Sequence, residues 1–196
     1  MSVAPGRRRL IQHFLTGIFA LVLVLTLQLE TFSQRSDHLT TEEIELVRDT
    51  QAVDDRMEVF VRAIERRLIS ISGTSGLSEE QQEQLRKEEN KWGPLPEGDR
   101  EQLVSDIFKI LDEAVSKIDD VADRNAESKL FPFAVHILAD YSRELIPILE
   151  SLASSSGSTR ERAFLTSSVN LCRDIVEASS KIDKPDPKER KKAKKG

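Results

Sequence analysis

Apolar residues recur at three- and four-residue intervals through most of this chain, and no stretch alternates strictly between apolar and polar. The pattern predicts helices and no half-buried strands. The first helix is predicted over about 40–72. Thr40 and Glu43 have capping-box spacing, with Leu39 and Ile44 placed as a hydrophobic staple. Its stripe runs through Leu46, Thr50, Val53, Met57, Phe60, Ile64 and Ile71, and Val47, Val61 and Leu68 widen it. A stripe that wide suits a helix facing two neighbours. Arg56, Arg62 and Arg66 fall mostly off it, and Gly73 and Gly76 end it.

A short polar helix is predicted over about 78–91, opened by Ser78 and Gln81 as a second capping box. The run Trp92-Gly93-Pro94-Leu95-Pro96 cannot be helical, and Trp92 is placed to pin this crossover to the helices. The next helix, about 99–126, is capped by Asp99 and carries Leu103, Ile107, Ile110, Leu111, Ala114, Ile118 and Val121. A third, about 131–154, carries Ala134, Ile137, Leu138, Tyr141, Leu145, Ile148 and Leu152, with Pro147 inside as an expected kink. The last, about 158–182, opens with a third capping box, Ser158 and Glu161, and carries Leu165, Val169, Cys172, Ile175, Val176 and Ile182. Each helix alone would be marginal in water, so the stripes must meet one another or a partner. The expected fold class is all-α: a four-helix-bundle-like domain over 34–182.

The N-terminus changes the picture of where this domain works. Arg7, Arg8 and Arg9 precede an uncharged apolar run, Leu10 to Leu29. That is the order of a secretory signal, and the run is long enough to span a bilayer. Thr31 and Ser33 supply small residues for cleavage before Gln34. Residues 1–33 are therefore read as a signal peptide or a membrane anchor helix. Cleavage near Ser33 gives a periplasmic or secreted helical protein; without it, residues 34–196 hang outside the cytoplasm from the inner membrane. The arginines also match a twin-arginine signal loosely, but the Leu-rich run favours the general secretory route.

Charge adds a second division. The whole chain has 29 Lys and Arg against 34 Asp and Glu, a net charge of -5. Residues 183–196 hold seven basic against three acidic side chains, so an acidic body carries a basic tail. That tail is predicted disordered, with Lys188, Arg190, Lys191, Lys192, Lys194 and Lys195 as a weak binder of anionic lipid or envelope polymer. Nucleic acid is not expected as a partner, because the body is acidic and aromatic residues make up only 5% of the chain.

Candidate chemistry is sparse. One Cys excludes a disulfide framework and a Cys-based zinc site. No GxGxxG, P-loop, HExxH or GxSxG motif is present, so no catalytic residue, cofactor or small-molecule substrate is assigned. His136, Asp140 and Glu144 recur at intervals of four along one helix face, the spacing of weak metal-ligand candidates. Asp119 and Asp123 form a second such pair. Di-iron bundles need Glu-x-x-His motifs, which are absent, so an ordinary solvated face is the favoured reading of both. Cys172 lies on its helix stripe as a small buried hydrophobe, and His38 falls in a flexible stretch before the first cap.

The segments Glu45-Leu46-Val47-Arg48-Asp49-Thr50-Gln51 and Phe60-Val61-Arg62-Ala63-Ile64-Glu65-Arg66-Arg67-Leu68 resemble those of exported helical proteins of environmental bacteria, acidobacterial ones in particular. Ala134-Val135-His136-Ile137-Leu138, Tyr141-Ser142-Arg143-Glu144 and Ile146-Pro147 resemble the same group. The resemblance implies an exported all-helical domain and carries over no functional residue. The expected function is non-enzymatic: a helical protein of the bacterial envelope acting through a protein partner, self-association or an envelope surface. A metal-binding or ligand-sensing bundle using the acidic and His residues of the second and third long helices is the alternative.

Overall fold

The computed structural model describes residues 38–125 and 127–194. The apolar run Leu10 to Leu29, the cleavage position at Ser33 and Lys195 lie outside the described residues. The described chain is all-helical, without a strand. Its α-helices are α1 (Thr41–Asp49), α2 (Val53–Ser72), α3 (Glu79–Trp92), α4 (Arg100–Asn125), α5 (Phe131–Ser155), α6 (Thr159–Ser179) and α7 (Pro187–Ala193), with one 3-10 turn at Thr74–Gly76. No helix among the described residues is long and apolar enough to cross a membrane.

The four longest helices share one core. α2 lies against α4 and α5, and α6 lies against the same two. Met57, Phe60 and Ile64 meet Ile107, Ile110 and Leu111, Leu138, Leu145 and Leu149, and Leu165, Val169 and Cys172, nearly all of them fully buried. Fully buried alanines on three helices, Ala63, Ala114, Ala134 and Ala139, let the backbones approach without leaving voids. α5 continues as one helix through Pro147. The missing N–H there falls on an exposed turn, where water can satisfy the freed carbonyl.

The predicted helix over 40–72 is two helices. α1 stops at Asp49, Thr50 turns extended, and α2 begins at Val53. Arg56 secures the break: its Nε and Nη2 donate to the Thr50 carbonyl at 3.0 and 2.6 Å. An unbroken helix would hold Glu43 and Arg66 about 35 Å apart. The break folds α1 back so that the two touch.

Local caps explain most helix starts. Both bonds of the Thr40–Glu43 and Ser78–Gln81 boxes form, and Asp99 Oδ1 accepts from the Gln102 N–H at 2.7 Å. The predicted third box is only half made. Ser158 accepts from the Glu161 N–H, but the Glu161 carboxylate turns to Arg100 Nε on α4, 2.8 Å away. Gly93 ends α3 at φ 68°, ψ -174°, a backbone region open in practice to glycine alone.

The tail departs most from its predicted disorder. Asp186 caps α7 by accepting from the Lys188 N–H at 2.9 Å. Arg190 and Lys194 then reach the first turn of α2.

Candidate binding site

The metal-ligand candidates do not converge. His136 is buried, and its Nε2 donates to the Ile182 carbonyl at 3.0 Å. Asp140 is held by Arg143 at 2.6 Å and Lys184 at 2.9 Å, while Glu144 is exposed. Asp119 and Asp123 are exposed on α4, and Asp120 pairs loosely with Arg124 at 4.0 Å. Among the described residues no three His, Cys, Asp or Glu side chains gather as a metal site would require. Cys172 is enclosed in the core, and burial pushes its thiol up to about 11, the reverse of an activated nucleophile.

A buried ion cluster was hidden from the sequence reading. Glu43 is fully buried, and Arg66 and Arg67 are 1% exposed. Glu43 Oε1 accepts from Arg66 Nε at 3.2 Å and Arg67 Nη1 at 2.6 Å, while Oε2 completes the cap at the Thr40 N–H. The second positive charge is spread over backbone carbonyls. Arg66 Nη2 donates to Trp92 at 3.0 Å, Gly93 at 3.1 Å and Pro94, and Arg67 Nη2 donates to His38 at 2.6 Å. The Arg66 guanidinium also lies over the Trp92 ring at 5.7 Å. Trp92 thus pins the crossover as its position suggested, though through Arg66. Burial pulls the Arg66 guanidinium below its ordinary value against the opposing pull of Glu43. His38 is not flexible: it is buried, with Nε2 donating to Glu113 at 2.8 Å. Spacing carried a signal for Arg67, which continues the Phe60, Ile64, Ile71 stripe at intervals of four, three and four. This cluster is closed to solvent and ties α1 and the crossover to α2.

The tail makes a second ion cluster, open to water. Arg190 donates to Asp54 at 2.6 Å, Asp55 at 3.1 Å and Glu58 at 2.5 Å, and Lys194 joins Asp54 and Asp55. Burial alone would raise the Asp54 carboxyl. Hydrogen bonds and charge from Arg190 and Lys194 outweigh it and hold that carboxyl below its ordinary value. Of the residues read as a surface-binding tail, Arg190 and Lys194 are therefore engaged, and Lys188, Lys191 and Lys192 remain exposed.

The feature with binding character is an apolar slot of about 250 Å³ where α4, α5 and α6 leave a gap. α4 supplies Val115 and Ile118, α5 supplies Phe131, Val135 and Leu138, and α6 supplies Leu171, Ile175 and Ala178. Ile182 also lines the slot, and its carbonyl accepts the hydrogen bond from His136. Two carboxylates line the slot, Asp119 on α4 and Asp174 on α6, both exposed. Neither has an ion-pair partner among the described residues. The hollows along α3 mix apolar residues such as Ile69, Leu77, Leu85 and Leu95 with charged and amide side chains such as Arg62, Arg66, Gln81, Gln82 and Glu89. The stripes of the sequence contained Ile118, Ile175 and Ile182, but could not show that packing leaves their outer edges uncovered.

Compared with known proteins, the chain matches no family model, no curated sequence and no solved structure.

Proposed function

We propose that this chain is a non-enzymatic four-helix-bundle protein of the bacterial envelope, exported past the inner membrane, which works by holding a protein partner. The slot between α4, α5 and α6 carries the reading. It keeps Val115, Ile118, Phe131, Leu171 and Ile182 only partly buried, a standing cost that a partner's apolar side chains would relieve. Export is supported by Arg7 to Arg9 ahead of the run Leu10 to Leu29. The outward lysines of α7 add weak affinity for anionic lipid or envelope polymer, about 1 kcal/mol each near a charged surface.

Two measurements test this. In spheroplasts of an expressing bacterium, added protease should remove a C-terminal tag; a protected tag contradicts export. A photo-crosslinking amino acid at position 171, on the slot wall, should give one adduct of defined mass from envelope preparations. Ala178→Trp, which fills the slot, should abolish that adduct. No adduct, or one indifferent to Ala178→Trp, overturns the partner-binding reading.

A further inference from the structure

The slot's chemistry is specific enough to name its occupant, given the reading of this chain as a partner-binding protein. We infer that it receives one face of an amphipathic helix from another protein, with apolar side chains on its floor and a Lys or Arg toward each of Asp119 and Asp174. At about 250 Å³ the slot lies at the lower edge of the roughly 300–1,000 Å³ of pockets that enclose a small molecule. Val115, Ile118, Phe131 and Leu171, from three helices, stay partly exposed around the buried Val135, Leu138 and Ile175, so the slot is a shallow surface groove that a partner can cover. The described residues offer no sheet edge to extend, so an added strand has nothing to pair with. An added helix can seat its ridge in the groove between neighbouring helices.

Charge selects among helices. Lys181, just past the end of α6, and Arg124, on α4, pair with Glu177 and Asp120 in exposed contacts of 3.2 and 4.0 Å and not with the slot carboxylates. Asp119 and Asp174 stand on different walls without such partners among the described residues. An incoming helix with basic residues beside its apolar stripe completes both; one with acidic residues there meets repulsion from both sides.

The test uses the full chain in neutral-lipid nanodiscs, with empty nanodiscs as background. The probes are two fluorescent helical peptides of about 18 residues, alike in their leucine stripe, one flanked by lysines and the other by glutamates. The lysine peptide should bind about tenfold more tightly. The double variant Asp119→Lys, Asp174→Lys changes exposed positions only, and its helical circular dichroism should match the parent's. It should reverse the preference, and Ala178→Trp should weaken both peptides. Unchanged preference in the double variant overturns the inference. So does displacement of the lysine peptide by one equivalent of a small cationic amphiphile such as dodecylamine, which would make the slot a small-molecule site. If neither peptide binds while the position-171 adduct forms, the occupant is wrong and the partner-binding reading stands. If both fail, both readings fall.

Discussion

α2 is gripped by two ion clusters, one in its first turn and one toward its far end, and they differ in access to water. In the first-turn cluster, a clasp on the tail, Asp54 is covered, but Arg190, Lys194, Asp55 and Glu58 are 25–53% exposed at the side chain. In the buried cluster, a knot between α1 and α2, Glu43, Arg66 and Arg67 are at most 2% exposed. The clasp is also favoured by the helix dipole, which stabilises Asp54 and Asp55 in a first turn. Yet the knot should matter far more to folding. An exposed pair gains little because water and salt compete for both ions. A buried pair adds little over well-packed apolar residues, but breaking it strands a charge that water cannot reach. The lesson is that the number of ion pairs says less than the cost of leaving one partner alone.

The largest expected effect follows directly. Glu43→Gln removes the carboxylate that bridges two buried guanidinium groups, and should cost about 3–5 kcal/mol in urea-induced unfolding. A loss under about 1 kcal/mol would mean that the carbonyls of Trp92, Gly93, Pro94 and His38 already satisfy both arginines. Gly93→Ala comes next, at about 1–3 kcal/mol. The new side chain would occupy a glycine-only conformation, with its Cβ 2.8 Å from the Glu42 carboxyl carbon. Because Gly93 also accepts from Arg66, its loss should be less than additive with that of Glu43→Gln.

What was legible in the sequence follows the same division. The four long helices, the caps at Thr40, Ser78 and Asp99, and the buried place of Cys172 all follow from residues within one or two turns of each other. The break at Thr50 was not legible. Thr50 and Val53 keep the stripe in phase, and the contact that rewards the break joins residues 23 and 24 positions apart. The tail was misread for a related reason. A run of lysines has no apolar face, so composition alone predicts disorder, whereas its acidic partners lie 132–139 positions earlier. Glu161 looked like a cap until Arg100 was seen beside it. Such long-range pairs carry no periodic signature.

Arg190→Ala sharpens the comparison from the weaker side. It should change global unfolding by less than about 1 kcal/mol. Its effect should be local: faster trypsin cleavage at Lys188, Lys191 and Lys192, which lie in the short helix that Arg190 anchors. Roughly 1 M salt should loosen the parent's tail in the same way and leave the knot intact, because exposed pairs are screened and buried ones are not. Equal salt sensitivity of both clusters would erase the distinction.

Acid separates the two clusters with the smallest effect. Asp54 has its folded-state carboxyl below the ordinary value of 3.8, held there by Arg190 and Lys194 despite its burial. A depressed carboxyl contributes its stability above the unfolded value, and that contribution fades as pH falls through the folded one. The tail should therefore stay docked at neutral pH and begin to release below about pH 4. Amide exchange over residues 187–193 reports this directly. Asp54→Asn should give a tail already loosened at neutral pH, with a shallower response to acid, since the carboxyl held below its ordinary value is gone. If the Asn variant keeps the parent's full acid response, the covered carboxylate is not what holds α7.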